Sequence, residues 1–279
     1  MKSNEWYWEN SEGQRIFSQS WEAANPQGQI IIVHGLGEHS GRYLDVADYL
    51  TKLEWNVSAM DLPGHGQTEG PKGYVRSWAS LVSTLERFLS HRHVADLPLY
   101  LYGHSMGGSL ALQVAMRRAH QVRGVIASSP PIRIVQEVPK WKVSLAKMLG
   151  PAIPALRFNS GIEAELLSRD QTAVDNYLED PLVNSRVSPA LGLGLLEIGP
   201  WLLKQASELT VPTLILHGDA DRIADISGSR EFCESVGQSC RLIEFPGYYH
   251  ELHHDPGGRQ VLATAAAWLD SGATAASSE

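Results

Sequence analysis

Cysteine is scarce in this chain of 279 residues, which contains only Cys233 and Cys240, seven positions apart. Two cysteines are too few for the disulfide framework that stabilises small secreted domains. The first residues of the chain also lack the apolar core of a secretory signal. We therefore expect both thiols to be free, in the reducing environment of the cytoplasm.

Clusters of positive charge and long apolar runs are also missing. The 23 lysine and arginine residues are outnumbered by 31 aspartate and glutamate residues, which gives a net charge of −8. This balance, without any basic run, argues against nucleic acid as a partner. No apolar stretch reaches the ~18 residues that a membrane-spanning helix needs. With 43% hydrophobic and 19% charged residues, the composition is that of a globular protein with a sizeable core.

The sequence has no motif that indicates a metal or a dinucleotide. Neither an H-E-x-x-H sequence nor a C-x-x-C pair occurs. The run from His253 to Asp255 contains ligand-type side chains, but we expect these adjacent loop residues to be solvated. Gly35 and Gly37 lack the third glycine of a dinucleotide-binding loop. We therefore expect neither a metal nor a cofactor.

Apolar runs and amphipathic stretches alternate along most of the chain. Apolar and polar residues alternate over 15–22, which predicts a half-buried edge strand, and continuous apolar runs predict strands covered on both faces. The predicted strands are 15–22, 29–33, 56–60, 99–102, 124–128, 211–217 and 241–245, and the predicted helices are 44–53, 78–93, 109–119 and 259–270. Strands that alternate with helices predict an α/β fold with a mostly parallel, doubly wound sheet.

One segment, residues 130–207, interrupts this alternation. It contains several prolines and two strongly apolar helical pieces, at 138–149 and 191–203. About 75 residues without a strand are long for a crossover. We interpret the segment as a helical cap inserted after the strand predicted at 124–128, with two ordinary packing helices as the alternative. The predicted core then consists of residues 1–129 and 208–279.

The sequence Gly103-His-Ser-Met-Gly107 lies between a predicted strand and a predicted helix. G-x-S-x-G in that context is the pattern of a nucleophile elbow. The serine of such a turn adopts unfavourable backbone angles, so the flanking residues must be small. Ser105 is therefore the predicted nucleophile.

A serine hydroxyl needs a base, and the base needs an orienting acid. In elbow proteins the acid and then the base follow the serine, each in a loop after a late strand. Asp221 and His250 occupy those places. Asp219 remains an alternative acid, and His253 and His254 remain alternative bases.

Ester hydrolysis through a tetrahedral intermediate also needs donors for the developing oxyanion. One is the backbone N–H that follows the nucleophile, which belongs to Met106. The second is expected from the glycine-rich loop after the strand predicted at 29–33, where Leu36 N–H is our choice. We expect the polar side chains of this loop to fix its shape rather than to react: His34, Glu38, His39 and Arg42.

Together these motifs resemble the monoacylglycerol lipase group of α/β-hydrolases, which is also described as lysophospholipase-like or serine aminopeptidase-like. The resemblance spans about residues 28–254 and is carried by HGLGEHSGRY, DLPGHGQTEG, GHSMGG, DPLV, GDADRI and GYYHELHHD. It implies an α/β-hydrolase fold with an acyl-binding cap, no cofactor, and the five site residues chosen above. It further implies that Tyr177 and His253 contact the glycerol head group.

The function that this resemblance implies is hydrolysis of a lipid monoester, monoacylglycerol, to fatty acid and glycerol. A lysophospholipase or a broad-specificity carboxylesterase is the alternative. A binding protein that has lost catalysis is disfavoured, because Ser105, Asp221 and His250 are all present. The apolar surface expected on the cap predicts a peripheral contact with membranes.

Overall fold

Eight strands form one sheet at the centre of the protein. A computed structural model describes residues 2–94, 96–136, 138–153 and 156–272. The strands are β1 (Asn4–Glu9), β2 (Arg15–Trp21), β3 (Gly28–Val33), β4 (Trp55–Met60), β5 (Leu99–His104), β6 (Gly124–Ser128), β7 (Phe158–Asn159), β8 (Arg186–Val187), β9 (Thr213–Gly218) and β10 (Cys240–Phe245). The large sheet has the order β1-β2-β4-β3-β5-β6-β9-β10, and β7 pairs with β8 outside it. Only β2 runs against its neighbours, which confirms the mostly parallel sheet.

Helices cover both faces of this sheet. The described residues form α1 (Leu44–Thr51), α2 (Trp78–Arg92), α3 (Met106–Arg117), α4 (Lys140–Ala152), α5 (Gln171–Glu179), α6 (Pro189–Gln205), α7 (Ile226–Val236) and α8 (Gly258–Asp270). Helices α2, α3, α6 and α7 pack on one face, and α1 and α8 pack on the other. In β3, Ile31 faces the first side whereas Ile30 and Ile32 face the second. Burial on both faces explains why this strand is a continuous apolar run.

The sheet edge differs from the prediction. Residues 15–22 were expected at the edge, but β1 pairs antiparallel with β2 and lies outside it. In β1, Trp6 and Trp8 are half-buried and alternate with the exposed Tyr7, and Trp8 Nε1 donates to Ser18 Oγ at 2.9 Å. The period of 2 appears in the burial of these side chains and not in the sequence, where the three aromatic residues are consecutive.

The two cysteines are also not as predicted. Cys233 lies in α7 and Cys240 begins β10, and the two form a disulfide with a Cα–Cα distance of 5.1 Å. The short turn between this helix and this strand brings the two side chains together. The expectation of free thiols is therefore wrong, and the argument for a reducing compartment loses its basis.

Residues 130–207 contain α4, α5 and α6 and the short β7–β8 pair, so the segment is not free of strands as expected. Helix α6 packs on the core through Leu191, Ile198 and Leu202, which are buried together with residues of α2 and α3. Helix α4 instead exposes Trp141 (65% accessible) and Met148 (66%). The division of the chain into core and cap stays a prediction.

Candidate active site

Ser105 lies in the sharp turn between β5 and α3. Its backbone angles are φ +50° and ψ −124°, a strained combination for a residue with a side chain. A Cβ atom at Gly103 would overlap the backbone of Gly107, and one at Gly107 would overlap the carbonyl oxygen of Val33. The two glycines are therefore required by the close packing of the turn, as the G-x-S-x-G pattern predicts.

His250 lies in the loop after β10 and contacts both of the other predicted triad residues. Its Nε2 is 2.8 Å from Ser105 Oγ, and its Nδ1 is 2.7 Å from Asp221 Oδ2. The ring is buried, and the backbone carbonyl of His250 accepts a bond of 2.8 Å from Ser129 Oγ. The structure thus brings Ser105, His250 and Asp221 into one hydrogen-bonded chain, in which Nδ1 donates to the carboxylate and Nε2 can accept from the hydroxyl.

Asp221 and Asp219 have different surroundings. Asp221 Oδ1 accepts from the backbone N–H groups of Ile223 (2.8 Å) and Ala224 (3.0 Å), and its side chain is fully buried. Asp219 is exposed, and its Oδ1 accepts from Gly247 N at 2.5 Å. Asp219 therefore stabilises a surface turn, while Asp221 contacts the histidine.

The pKa values of Asp221 and His250 are shifted in opposite directions. Burial alone would raise the pKa of Asp221, but its interactions with His250 and His217 outweigh burial and lower it. Burial, the largest single influence, would lower the pKa of His250, but the charge and hydrogen bond of Asp221, together with the charges of Glu251 and Glu38, raise it above the ordinary value of 6.5. Asp221 is therefore an anion near neutral pH, and it increases the basicity of His250.

Two backbone N–H groups beside Ser105 are available to a ligand. Within the described part of the chain, neither Leu36 N–H nor Met106 N–H has a hydrogen-bond acceptor. Met106 is the first residue of α3, where N–H groups have no partner within the helix. Gly35, next to Leu36, lies so close to Ser105 that an added Cβ would be 3.2 Å from the Ser105 Cβ. The loop 34–37 and the start of α3 thus lie on either side of the serine.

Buried polar side chains fix the loop that carries Leu36. Glu38 Oε1 accepts from Gly35 N at 2.5 Å and from Tyr43 Oη at 2.7 Å. His34 Nδ1 donates to Gly35 O at 2.8 Å, and its Nε2 accepts from Leu62 N at 2.9 Å. Because both polar groups of Gly35 are occupied, the next free N–H in the loop is that of Leu36.

Arg42 connects this loop to the loop that carries His250. It donates to Glu38 at 3.2 Å and to Glu251 at 2.6 Å, and Glu251 also faces His254 Nδ1 at 2.8 Å. Burial alone would raise the pKa of Glu251, but His254 and Arg42 lower it to about 2. His34, Glu38 and Arg42 therefore fix the shape of this loop, as the sequence predicts, and the ion pair between Arg42 and Glu251 spans 209 positions.

The histidines after His250 are not solvated as expected. The ring of His253 stacks on Tyr43 (4.9 Å between centroids) and lies 5.2 Å from the ring of His104. Neither ring nitrogen of His253 has a partner among the described residues, and both nitrogens are buried. Burial lowers the pKa of His253 well below the ordinary value and that of His104 to about 4, so both rings are neutral at pH 7.

Tyr177 lies in α5, and its ring packs against Arg42. The guanidinium of Arg42 is 4.7 Å from the centre of the Tyr177 ring. Burial and the nearby carboxylates raise the pKa of Tyr177 to about 12, which keeps its hydroxyl protonated and able to donate. Tyr177 and His253 thus both border the Arg42 cluster, and no contact joins either of them to Ser105 in the described structure.

Sequence reasoning missed three residues of this site: Glu251, Asp61 and His217. Glu251 follows His250 directly, so its position was a signal. Asp61, in the DLPGHG motif, accepts from Ser40 N at 2.8 Å and from Gln67 N at 2.6 Å. His217 lies near the end of β9, four residues before Asp221, and faces its carboxylate at 3.4 Å. An apolar strand that ends in a histidine, four residues before Asp221, is the sequence signal for it.

Comparison with known proteins places this geometry in a family. The model of the family described as serine aminopeptidase, S33 matches residues 24–257. Monoacylglycerol lipase of Mycolicibacterium smegmatis is 31% identical over 263 residues, 92% of this chain and 93% of that protein. Human monoglyceride lipase is 34% identical over 254 residues, 88% of this chain and 83% of that protein.

Solved structures agree with these relatives. The crystal structure of monoacylglycerol lipase from Paleococcus ferrophilus superposes with a TM-score of 0.86 at 34% identity, over 92% of this chain and 99% of that one. A monoglyceride lipase from Saccharomyces cerevisiae in complex with a substrate analogue shares the fold, with a TM-score of 0.87 at 24% identity over 98% and 96% of the two chains. With its elbow serine and its mostly parallel sheet, the chain belongs to the serine aminopeptidase S33 family of the α/β-hydrolase fold.

Proposed function

We propose that this protein hydrolyses monoacylglycerols to fatty acid and glycerol. The chain is a carboxylic ester hydrolase of a family whose relatives at 31–34% identity are monoacylglycerol lipases. The observation that carries the proposal is the hydrogen-bonded chain from Ser105 Oγ through His250 to Asp221. These two hydrogen bonds supply the activated nucleophile that acyl transfer requires.

The proposed mechanism has two acyl-transfer steps. Ser105 Oγ attacks the ester carbonyl while His250 Nε2 takes its proton, and Asp221 stabilises the imidazolium that forms. The oxyanion accepts from Leu36 N–H and Met106 N–H. His250 then gives the proton to the glycerol oxygen as the ester bond breaks, which leaves an acyl-enzyme. A water molecule, deprotonated by His250, attacks the acyl-enzyme and releases the fatty acid, and Ser105 recovers its proton.

The proposed head-group contacts are Tyr177 and His253. An apolar acyl tunnel distinguishes one methylene by only ~1–3 kcal/mol, so selection for glycerol needs polar groups. The Tyr177 hydroxyl is a donor, since its pKa is raised to about 12. The ring nitrogens of His253 are buried and have no partner among the described residues, so a hydroxyl of bound glycerol would satisfy one of them.

We further propose that residues 130–207 form a cap over the site and that its α4 face contacts membranes. Four side chains in or beside α4 are at least 40% accessible: Val138, Trp141, Met148 and Ile153. We propose that these side chains form one apolar patch, which is a feature typical of membrane or protein contacts. No helix among the described residues is long and apolar enough to cross a bilayer.

The proposal is tested by hydrolysis of four esters with the same acyl chain: monoacylglycerol, fatty acid methyl ester, lysophosphatidylcholine and triacylglycerol. We expect monoacylglycerol with a medium or long chain to have the highest kcat/KM. Ser105→Ala should abolish all four activities, and Tyr177→Phe should lose the preference for monoacylglycerol over methyl ester while keeping activity on the methyl ester. Faster cleavage of lysophosphatidylcholine than of monoacylglycerol would replace the proposal with a lysophospholipase.

A further inference from the structure

A second histidine lies against the carboxylate of Asp221. His217 is a residue of β9, and its side chain is fully buried. Its Nε2 is 3.4 Å from Asp221 Oδ2, the same oxygen that faces His250 Nδ1. The proposed mechanism does not use His217, and its burial excludes contact with substrate.

The partners of His217 determine which ring nitrogen carries the hydrogen. Nε2 lies 3.1 Å from the carbonyl oxygen of Ala224, which can only accept, so Nε2 is the donor. Nδ1 then accepts from the hydroxyl of Ser229 on α7, at 2.8 Å. The Nε2–H therefore donates to Ala224 O, and Asp221 Oδ2 lies 3.4 Å from the same nitrogen, while the bond from Ser229 holds the ring in that orientation.

We propose that His217 is a positioning residue for the acid of the triad, and that Ser229 positions His217 in turn. The inference rests on the proposed role of Asp221. One carboxylate oxygen, Oδ1, is held by two backbone N–H groups, those of Ile223 and Ala224. Without His217, Oδ2 would have His250 as its only side-chain partner among the described residues.

This arrangement affects catalysis through the alignment of His250. The carboxylate must present Oδ2 to Nδ1 so that Nε2 points at Ser105 Oγ. The donor at His217 gives Oδ2 a second partner besides His250 and offsets part of the cost of burying the charge. The side chain has no contact with the substrate, so its loss should lower kcat and leave KM nearly unchanged.

The test is steady-state hydrolysis of p-nitrophenyl butyrate by the full chain with His217→Leu or His217→Gln. We expect His217→Leu to lower kcat about tenfold or more, the scale of a lost hydrogen bond to a charged group, with KM within about twofold. His217→Gln should retain most of kcat, because its amide nitrogen reaches about the position of Nε2 and donates there. Thr213→Val is the matched control: Thr213 is also buried in β9, and its hydroxyl donates to Val211 O at 2.9 Å.

The same substitutions in an Asp221→Asn background separate positioning from general damage. The amide oxygen of that variant stays with the two backbone N–H groups, so its NH₂ group takes the place of Oδ2 and opposes the Nε2–H of His217. The oxygen that His217 holds toward His250 is then gone. His217→Leu should therefore change kcat less than about twofold in the Asp221→Asn background.

Three results would overturn the proposal. The first is a loss of kcat in His217→Leu no larger than that in Thr213→Val. The second is the same loss of kcat when His217→Leu is made in the Asp221→Asn background, and the third is a His217→Gln enzyme as slow as His217→Leu.

If His217→Leu does not fold, Ser229→Ala replaces it. We then expect kcat to fall about two- to fivefold, scaled to one neutral hydrogen bond, and an unchanged kcat would overturn the proposal. Because the chromogenic ester needs only a working serine hydrolase, failure of the monoacylglycerol proposal would appear separately, in the wild-type substrate panel.

Discussion

Asp219 and Asp221 are two residues apart, but the same substitution should affect them very differently. Asp221→Asn keeps an acceptor for the backbone N–H groups and replaces the oxygen that faces His250, so we expect kcat to fall by about 10³–10⁴-fold. Asp219→Asn keeps the Oδ1 that accepts from Gly247, so we expect less than about a tenfold effect. Assays of both variants with one ester decide the assignment, and greater damage from Asp219→Asn would reverse it.

The raised pKa of His250 predicts the acid side of the pH–rate profile. The base must be neutral to accept the Ser105 proton, so activity falls as pH drops through the pKa of His250. Asp221 raises that pKa above 6.5, so the inflection in kcat/KM should lie above pH 6.5. In Asp221→Asn the charge is gone and burial lowers the pKa, so the inflection of the residual activity should move to lower pH. A wild-type inflection below 6.5 would contradict this electrostatic account.

Single residues were predictable where chain order constrains them. Ser105, Asp221 and His250 could be chosen because an elbow and the loops after late strands are local features of the sequence. The roles of Glu251 and His217 could not be assigned, because they depend on side chains that meet only in the folded chain, although Glu251 directly follows His250 in the sequence. Arg42 and Glu251, for example, are 209 positions apart. The roles of the chosen residues stay predictions until the variants are assayed.

At the level of elements, the alternation of strands and helices was predictable because each buried strand is a continuous apolar run. Strand β6 has the predicted bounds, and α2 begins at the predicted residue 78, after Ser77, whose hydroxyl accepts from Ser80 N at 3.1 Å. Strand β1 was missed because its three aromatic residues are consecutive, so the sequence shows no alternation of apolar and polar side chains. The disulfide was missed because the closeness of Cys233 and Cys240 depends on how α7 turns into β10.

The disulfide gives a prediction for this pair of elements. Closing a loop of about eight residues should stabilise the protein by about 2.5 kcal/mol in the chain-entropy account. Cys233→Ser combined with Cys240→Ser should therefore lower the free energy of unfolding by about that amount in urea titrations. Dithiothreitol should destabilise the wild type and leave the double variant unchanged. Reaction of two thiols with Ellman's reagent in denaturant, without reductant, would show that the bond is absent.

On the scale of the whole molecule, the exposed α4 face should determine attachment to membranes. Trp141 is 65% accessible, so Trp141→Asp removes apolar contact without opening the core. We expect it to weaken sedimentation with phosphatidylcholine vesicles more than it lowers hydrolysis of a water-soluble short ester. Val94→Asp, which adds the same charge at an exposed site (47%) outside residues 130–207, is the control. Equal losses of vesicle binding and of hydrolysis in Trp141→Asp would indicate instead that the segment has collapsed.

Ser105, Asp221 and His250 follow the carboxyl ends of three parallel strands, β5, β9 and β10. The amino-terminal ends of these strands, on the opposite side of the sheet, therefore have no part in the chemistry. Residues 118–123 lead into the amino-terminal end of β6, and Ala119 within them is exposed. A handle for immobilisation introduced there, through Ala119→Cys, would anchor the protein to a solid support with its reactive side directed away from the support and toward an emulsion of substrate.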